Sequence, residues 1–561
     1  MSNLNKLIVQ EYLESLKEDT ELDALFPTLL TLMGFRVIAN PKDSKGQPQY
    51  GKDVIAIGKN ESGVKCKYYF EVKGGGDRNI TNSVLTKEDG VIESLKEAKY
   101  AIFNDFTDGN FANLPAIVVL VHNGEVRRNV RLTFDGFIFR EFKDGEFEHW
   151  DITKLTEMFS QYMFNEYLLT DEKSLKLFKK TLILLDVPEY DFTDFKQLID
   201  IQIDKYTDIR ENRVLKKFLA TMNLLANMIF HYSKENNNLN PAKDCVSYII
   251  LKLWAWILKN KLSKKKPVLK EFDKILKIQY HVLKEYFNKT LPFALEENGL
   301  YGEGGFYEEV GYPIRLFDYI NYLTYYFKIA PKFDDEFSLK NSKNTLIKLI
   351  SNNLEGLRPL LDNHSIAIHN TLNYLVENNE NELFTEEEVA FVPDFLNTIY
   401  ASLCITQNLR KRFPELNNNI EVVIEAIATR EKPHNYSDKS SLLITMLFEY
   451  LVVFASKNLY NMYSSFFKNK DINLQVFYPD YENNDIEQIL FEREILEEGG
   501  VETSVLLDEN FEDFCIKIKN KPVENIKYIT DEVGYDFLRS LAHLYYKTPI
   551  FVEEWRKYLK E

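Results

Sequence analysis

Residues 51–76, which read GKDVIAIGKNESGVKCKYYFEVKGGG, are the stretch that decides the fold of the first part of the chain. Asp53–Ile57 is a short run of apolar and β-branched residues, Asn60–Gly63 supplies turn-forming residues, and Val64–Lys73 is a second β-rich run. Because the turn between the two runs is so short, we expect them to pair as an antiparallel hairpin.

The hairpin has a predicted register, because a turn centred near Ser62 places Asp53 beside Glu71. Directly opposed residues of an antiparallel pair have Cβ atoms about 4.5–5.5 Å apart. Strand alternation gives the second strand one polar face and one apolar face, and we expect the apolar face to form the core. The residues of the expected polar face are Lys65, Lys67, Tyr69, Glu71 and Lys73.

The predicted neighbours Asp53 and Glu71 carry carboxylates, which repel each other unless a cation lies between them. Mg²⁺, with Mn²⁺ as an alternative, takes oxygen ligands in such an arrangement and keeps positions open for water and phosphate oxygens. A lysine beside the site, here Lys73, can orient the attacking water and stabilise charge on the phosphate oxygens. These three side chains are sufficient for phosphodiester hydrolysis.

The pattern resembles the PD-(D/E)xK nuclease superfamily, and within it the Mrr-like restriction endonucleases. The matching residues are Asp53 and the tripeptide Glu71-Val72-Lys73 at the end of the next strand. The resemblance implies that Asp53 and Glu71 bind the metal, with the Val72 carbonyl as a further ligand. It also implies that Lys73 assists the attacking water.

The family also has an upstream helix, often bearing a glutamate, that runs into a glycine–aromatic pair before the first strand. In this chain Gly34 fits the position just past the end of that helix, and Phe35–Ile38 fits the first strand. Glu21 or Asp23 is then a candidate third acidic residue, and the sequence does not choose between them. The proline of the family's name is absent, since Lys52 precedes the first aspartate.

Candidate contacts to nucleic acid lie in three basic stretches. One residue follows the glycines after the hairpin, and two lie in the segment EVRRNVRLTF, for which a solvated edge strand is the alternative interpretation. The third stretch, Lys259–Lys270, has six lysines and no acidic residue, and a solvated loop between helices is the alternative there. The candidate residues are Arg78, Arg127, Arg128, Lys264, Lys265 and Lys266.

The chain has 561 residues, which predicts two or three domains. We expect an α/β restriction-endonuclease-like domain over residues 1–160, in which a central mixed sheet is flanked by helices. A large, mostly α-helical region is expected to follow, with domains at 161–335 and 336–561. Some strand content is expected near 471–530, in LQVFYP, TSVLLD and FCIKIKN. Apolar residues at three- and four-residue spacing predict its helices. Examples are Lys173–Leu185, Asn212–Tyr232, Val246–Leu258, Phe272–Asn288 and a final helix at Asp531–Tyr546.

Charge and cysteine content indicate the compartment and exclude some classes of protein. The net charge of −17 means that binding to a phosphate backbone needs a local basic patch. The four cysteines form no CxxC pair, which argues against a zinc finger or a disulfide framework and fits a reducing compartment. The N-terminus lacks the apolar stretch of a signal peptide, and charges interrupt the longest apolar runs. We expect a cytoplasmic protein with no membrane contact.

The favoured function is a Mg²⁺-dependent endonuclease that cuts double-stranded DNA. By analogy at the level of fold, it resembles a bacterial restriction or anti-phage defence effector, and a homo-oligomer is expected because both strands must be cut. The helical region is expected to recognise a target, a trigger or a protein partner, and Gly299–Gly311 is either a recognition loop or a structured connector. Two alternatives stay open: an RNA-cleaving effector that acts on tRNA, and a catalytically silent scaffold that binds protein or DNA.

Overall fold

The structure is a computed structural model of the chain. It describes residues 3–16, 18–39, 52–88, 90–101, 103, 111–163, 172–187, 190–206, 212–376, 386–492, 499–503, 505–521 and 526–559. Gly51 of the stretch quoted first lies outside these residues. Contacts group the chain into two compact units, Met1–Ile249 with Lys270–Ile275 and Ile250–Leu269 with Leu276–Glu561. The domain boundaries near residues 160 and 335 stay predictions.

A five-stranded sheet in the order β1-β2-β3-β4-β5 forms the centre of the first unit. The strands are β1 (Arg36–Ala39), β2 (Val54–Lys59), β3 (Lys65–Lys73), β4 (Ala116–His122) and β5 (Phe147–Trp150). The first three strands pair antiparallel, and β3, β4 and β5 pair parallel. The predicted mixed sheet is therefore confirmed.

Helices precede, interrupt and follow this sheet. The helices of the first unit are α1 (Asn3–Ser15), α2 (Asp23–Leu32), α3 (Asn82–Thr86), α4 (Val91–Tyr100), α5 (Arg128–Glu141), α6 (Ile152–Tyr162), α7 (Glu172–Leu184), α8 (Thr193–Lys205) and α9 (Asn212–Glu235). A short π-helical turn, Glu18–Leu22, connects α1 to α2. Two further helices, α10 (Asn240–Lys259) and α11 (Lys266–Ala294), contribute residues to both units.

The register of the hairpin agrees with the sequence prediction. Its pairs run from Val54 with Phe70 to Lys59 with Lys65, so the turn is centred on Ser62. The side-chain oxygen of Asn60 accepts hydrogen bonds from two backbone amides of the turn, at 3.1 and 2.9 Å. This local bonding fixes the turn and, with it, which residues of the two strands lie opposite each other.

Both faces of β3 are covered, which corrects the expectation of one polar face. On the apolar face, the rings of Phe26 and Phe35 pack edge-on against Phe70 and Tyr68, each with centroids 5.1 Å apart. On the opposite face, Tyr69 is buried in a core to which α3, α4 and α5 contribute. The polar face was expected because Lys65, Lys67 and Lys73 share it with Tyr69 and alternate with apolar residues. Such alternation does not show that helices cross this part of the sheet.

An edge strand was one interpretation of the segment EVRRNVRLTF, and the segment begins a helix instead. Arg127 is the N-cap of α5, and Val130, Phe134 and Phe137 are its buried residues. Their spacing of four and three residues is that of one helix face. The predicted strand was wrong because the arginines obscure this periodicity.

The second unit is mostly helical, as predicted. Its further helices are α12 (Glu308–Ile329), α13 (Leu339–Ser351), α14 (Ser365–Val376), α15 (Glu386–Arg410), α16 (Ile420–Thr429), α17 (Leu442–Val453), α18 (Lys457–Lys468), α19 (Ile486–Glu492), α20 (Phe511–Lys519), α21 (Ile529–Glu532), α22 (Phe537–Tyr546) and α23 (Glu553–Arg556). The predicted final helix is divided into α21 and α22 at Gly534, which has φ +73°. No described helix has both the length and the apolar composition needed to cross a membrane.

A small sheet accounts for the strand content predicted near residues 471–530. It is formed by β6 (Ser440–Ser441), β7 (Asn473–Pro479) and β8 (Gly499–Thr503). In the Gly299–Gly311 segment, the Glu308 carboxylate accepts from the Gly302 amide at 2.9 Å and pairs with Arg315. These contacts give that segment an internal structure.

Candidate active site

Asp53 and Glu71 lie at the open end of the hairpin, next to the pair formed by Val54 and Phe70. Glu71 is almost fully buried, and Asp53 is partly buried. Oδ2 of Asp53 accepts a hydrogen bond from the Val72 amide at 2.7 Å. This bond holds the Asp53 carboxylate against the end of β3, where the sequence register had placed it.

Lys73 contacts the second carboxylate of the pair. Its Nζ lies 2.6 Å from Oε1 of Glu71, and its side chain is largely buried. Burial lowers the pKa of Lys73, but the carboxylates of Glu71 and Glu18 outweigh this effect and hold the pKa above its ordinary value. Lys73 is therefore a cation near neutral pH, positioned between acidic groups.

Asp53 is in an environment that disfavours its charge. Burial and the nearby Glu71 carboxylate raise the pKa of Asp53 well above its ordinary value, although the Val72 amide and Lys73 act in the opposite direction. The site thus has more negative charge than the lysine neutralises. A divalent cation relieves this kind of repulsion.

Glu18, the first residue of the π-helical turn, is a third carboxylate near the site and was not predicted. Its Oε2 accepts a hydrogen bond from the Gly74 amide at 2.8 Å. Its charge raises the pKa of both Asp53 and Lys73. Gly74 permits the approach, because a Cβ there would lie 2.8 Å from the backbone nitrogen of Glu18.

The two acidic residues suggested by the sequence are placed differently. Glu21 forms an ion pair with Lys217 of α9, and Asp23 begins α2. Neither is among the groups that shift the pKa of Asp53. Sequence reasoning missed Glu18 because a π-helical turn changes the phase of a helix, and apolar periodicity does not reveal such a turn.

Polar side chains beyond the ends of β3 and β4 hold the end of α1, just before Glu18. Nδ2 of Asn123 donates to the carbonyls of Leu13 and Leu16, at 2.7 and 3.1 Å. Arg78 donates to the carbonyl of Glu14. Arg78, a candidate for contact with nucleic acid, is thus already bonded to the end of a helix. Because β3 and β4 are parallel neighbours, polar residues just beyond their ends were a signal that could have been read.

A histidine pair lies beside the site. His122 is paired in register with Lys73, and its Nε2 lies 2.8 Å from Nε2 of His149. Its Nδ1 lies 2.8 Å from the carbonyl of Arg78. Burial and the neighbouring His149 lower the pKa of His122 to about 4, so it is neutral at pH 7 and its Nδ1–H can donate to that carbonyl. This pair helps to hold the segment that carries Arg78.

The remaining basic candidates are exposed. Arg127 and Arg128 lie at the start of α5. In the second unit, Lys265 and Lys266 are also exposed, and Lys264 forms an ion pair with Glu532 at 3.0 Å. Their exposure is compatible with contact to a phosphate backbone and with solvation alone.

The side chains at the site fit a hard divalent cation. Within the described residues, no three His, Cys, Asp or Glu side chains converge closely enough to hold a metal ion by themselves. Mg²⁺, however, commonly binds through one or two carboxylates and keeps several water ligands. Asp53 and Glu71 supply two such carboxylates, and a bound cation would offset the repulsion by Glu71 that, after burial, raises the pKa of Asp53.

The structure therefore brings together Asp53, Glu71 and Lys73, and it adds Glu18 to them. Comparison of the chain with protein-family models, curated proteins and solved structures finds no match. The support for a function therefore comes from the side chains at the site and their geometry.

Proposed function

We propose that the first unit is a metal-dependent nuclease that hydrolyses phosphodiester bonds through Asp53, Glu71 and Lys73. The observation that carries this proposal is the juxtaposition of two carboxylates at adjacent strand ends, with a lysine in contact with one of them. The raised pKa of Asp53 supports it, because it marks a site that a cation would stabilise.

We also propose that this unit has the restriction-endonuclease-like fold. The order of its elements supports the proposal: a helix, a glycine–aromatic pair, a first strand and the hairpin, followed by α4 and the parallel strand β4. Gly34 has φ +87°, which fits its predicted place just past the end of α2. This order is the one that the resemblance implies.

The proposed roles follow from the position of each side chain. The carboxylates of Asp53 and Glu71 and the Val72 carbonyl would hold Mg²⁺ or Mn²⁺, which when bound polarises a phosphoryl oxygen and lowers the pKa of a bound water. Lys73, as a cation, stabilises charge on the phosphate oxygens and orients the attacking water. Glu18 bonds to the Gly74 amide and so holds the backbone next to Lys73.

We propose double-stranded DNA as the substrate, with the chain acting in the cytoplasm as a bacterial restriction or anti-phage effector. The exposed Arg127 and Arg128 are the proposed contacts to the phosphate backbone in this unit. Recognition of a target or trigger is assigned to the helical second unit, and a homo-oligomer would place two sites on the two strands.

A cleavage assay tests this proposal. Purified full-length protein is incubated with supercoiled plasmid or with tRNA, in Mg²⁺, in Mn²⁺ or in EDTA. We expect plasmid cleavage in either metal and none in EDTA. Lys73→Ala should lower the rate by about 100-fold or more, because it removes a charge that stabilises the transition state.

The matched control is Lys65→Ala, which removes a lysine from the same strand and face, where the side chain is exposed. We expect its rate to stay within about twofold of the unaltered protein, as for surface substitutions away from a site. Cleavage of tRNA but not of plasmid would support the proposed hydrolysis and would make RNA, rather than DNA, the substrate. Cleavage that persists in EDTA, or equal rates for Lys73→Ala and the unaltered protein, would overturn the proposal.

A further inference from the structure

The second unit contains a cavity of about 550 Å³ that lies far along the chain from the candidate active site. Its lining comes from the start of α12, residues 354–360, α15 with the residues that follow it, and α16. The volume is within the range of small-molecule sites, about 300–1,000 Å³. Three arginines line this cavity: Arg358, Arg410 and Arg412.

Arg412 is buried and makes no direct ion pair with the described residues, although the carboxylates of Glu309 and Asp438 act on its charge from a distance. Its side chain is 7% exposed, and among the described residues no hydrogen bond or ion pair involves its guanidinium. The other buried arginines of this unit are paired: Arg556 lies 2.5 Å from Glu449, and Arg539 lies 2.6 Å from Asp531. A buried charge without a partner is costly, so proteins rarely retain one without a reason.

Arg358, which lines the same cavity, also has an unpaired nitrogen within the described part of the chain. Its Nε is buried and has no hydrogen-bond partner among the described residues. Two carboxylates act on Arg412 from a distance: that of Glu309, which also lines the cavity, and that of Asp438, which is engaged by Lys432 at 2.5 Å. Two guanidinium groups therefore line one cavity with donors to spare. Guanidinium forks match the oxygens of a phosphate group in geometry and charge.

The other residues that line the cavity indicate the chemistry of the rest of the ligand. Ile405 and Leu409 offer apolar surface, while Thr406 offers a hydroxyl. Glu309 and Glu355 also line the cavity, and their carboxylates accept hydrogen bonds from hydroxyl or amino groups but repel further phosphates. This mixture suits a molecule with one phosphate at one end and a hydroxylated or nitrogen-bearing body at the other.

We propose that this cavity binds a small phosphorylated molecule of the nucleoside monophosphate class, with its phosphate on Arg358 and Arg412. The site does not depend on the nuclease proposal, because none of its residues belongs to the candidate active site. It gives the helical unit a specific ligand in place of an unassigned recognition role.

Calorimetric titration of the full-length chain tests this proposal with inorganic phosphate, pyrophosphate and the four ribonucleoside 5′-monophosphates. We expect at least one nucleotide to bind, and to bind more tightly than inorganic phosphate. Arg412→Gln and Arg358→Gln should each weaken that binding by about tenfold or more, since each removes a charged hydrogen-bond donor. Arg430→Gln, an exposed arginine of the same unit outside the lining, should bind like the unaltered protein.

Thermal unfolding separates binding from a purely structural role. Without ligand, Arg412→Gln should unfold at the same temperature as the unaltered protein or a higher one, because the arginine has no partner to lose. The nucleotide should raise the unfolding temperature of the unaltered protein but not of Arg412→Gln. The proposal is wrong if no probe binds, if both arginine variants bind normally, or if inorganic phosphate binds as tightly as every nucleotide.

Discussion

Asp53 is the residue at which stability and the proposed function oppose each other. Its pKa is raised by burial and by the carboxylate of Glu71. A raised pKa means that the folded state binds the proton of this carboxyl more tightly than the unfolded state does. The associated stability is present below the unfolded pKa, about 3.9, and is lost as the pH rises through the folded pKa.

The substitution Asp53→Asn should therefore stabilise the metal-free protein at pH 7. We expect the free energy of unfolding to rise by on the order of 1 kcal/mol, since the substitution removes a disfavoured charge and keeps an acceptor for the Val72 amide. Chemical denaturation in EDTA measures this change. The difference should disappear near pH 3.5, and a less stable variant at pH 7 would contradict the explanation.

Glu18 and Glu21 provide a second comparison at the scale of single residues. Glu18→Gln removes a carboxylate that acts on Asp53 and Lys73, and we expect cleavage to fall about 10- to 100-fold. Glu21→Gln changes a residue that is paired with Lys217, and its cleavage rate should stay within about threefold once folding is checked. A reversed order of the two rates would show that Glu21 is the third acid.

At the scale of single residues, the sequence predicts the positions of the site residues in the hairpin and of few others. Asp53 and Glu71 could be placed side by side because the turn fixes their register, and strand alternation adds Lys73. Glu18 could not be placed, because it reaches the site through a contact between segments distant in sequence. Local patterns contain no information about such contacts.

Among the elements, the π-helical turn closely approaches the end of β3 at Gly74. A Cβ at Gly74 would lie 2.8 Å from the backbone of Glu18, whereas a Cβ at Gly76 would meet nothing within 4 Å. The two glycines are two residues apart in sequence and differ in what a Cβ would meet. They form a matched pair for testing whether this turn matters.

Gly74→Ala should displace Glu18 from the end of β3 and lower cleavage by about tenfold or more, whereas Gly76→Ala should stay within about threefold. Initial rates on plasmid measure both, and circular dichroism checks that each variant is folded. Equal rates for the two variants would mean that the contact between the turn and the strand has no part in catalysis.

FCIKIKN is a second segment that was interpreted as a strand and is helical instead. FCIKIKN, near the C-terminus, alternates like a strand, but its residues belong to α20, where Phe511, Phe514 and Ile518 are buried. Their spacing is also helical, and the side chain of Asn510 accepts from the Asp513 amide at 2.8 Å to cap the helix. Where a segment has both helical and strand periodicity, a helix-capping residue indicates the helix, and alternation alone gives the wrong prediction.

On the scale of the whole molecule, the first unit extends beyond the 160 residues that the sequence assigned to the nuclease. Helix α1 packs against both α6 and α9. Ion pairs join Glu21 to Lys217 and Glu11 to Lys274. Sequence patterns predicted α9 as a helix, but they could not show that it packs against a helix about 200 residues earlier.

A fragment that ends at residue 163 should therefore be much less stable than the full chain. It lacks α9 and exposes the side of α1 that packs on it, so we expect binding of a hydrophobic dye and rapid proteolysis of α1. Limited proteolysis followed by mass spectrometry measures this. If the fragment resists proteolysis as the full chain does, the boundary near 160 is a true domain boundary.

The most direct test of the proposed site is a crystal structure of the protein soaked with Mn²⁺, with anomalous scattering used to locate the ion. We expect one peak about 2 Å from a carboxylate oxygen of both Asp53 and Glu71, and no longer a direct contact between Glu71 and Lys73. The absence of a peak at this position, with the 2.6 Å contact of Lys73 to Glu71 retained, would contradict the assignment of a metal-dependent nuclease site.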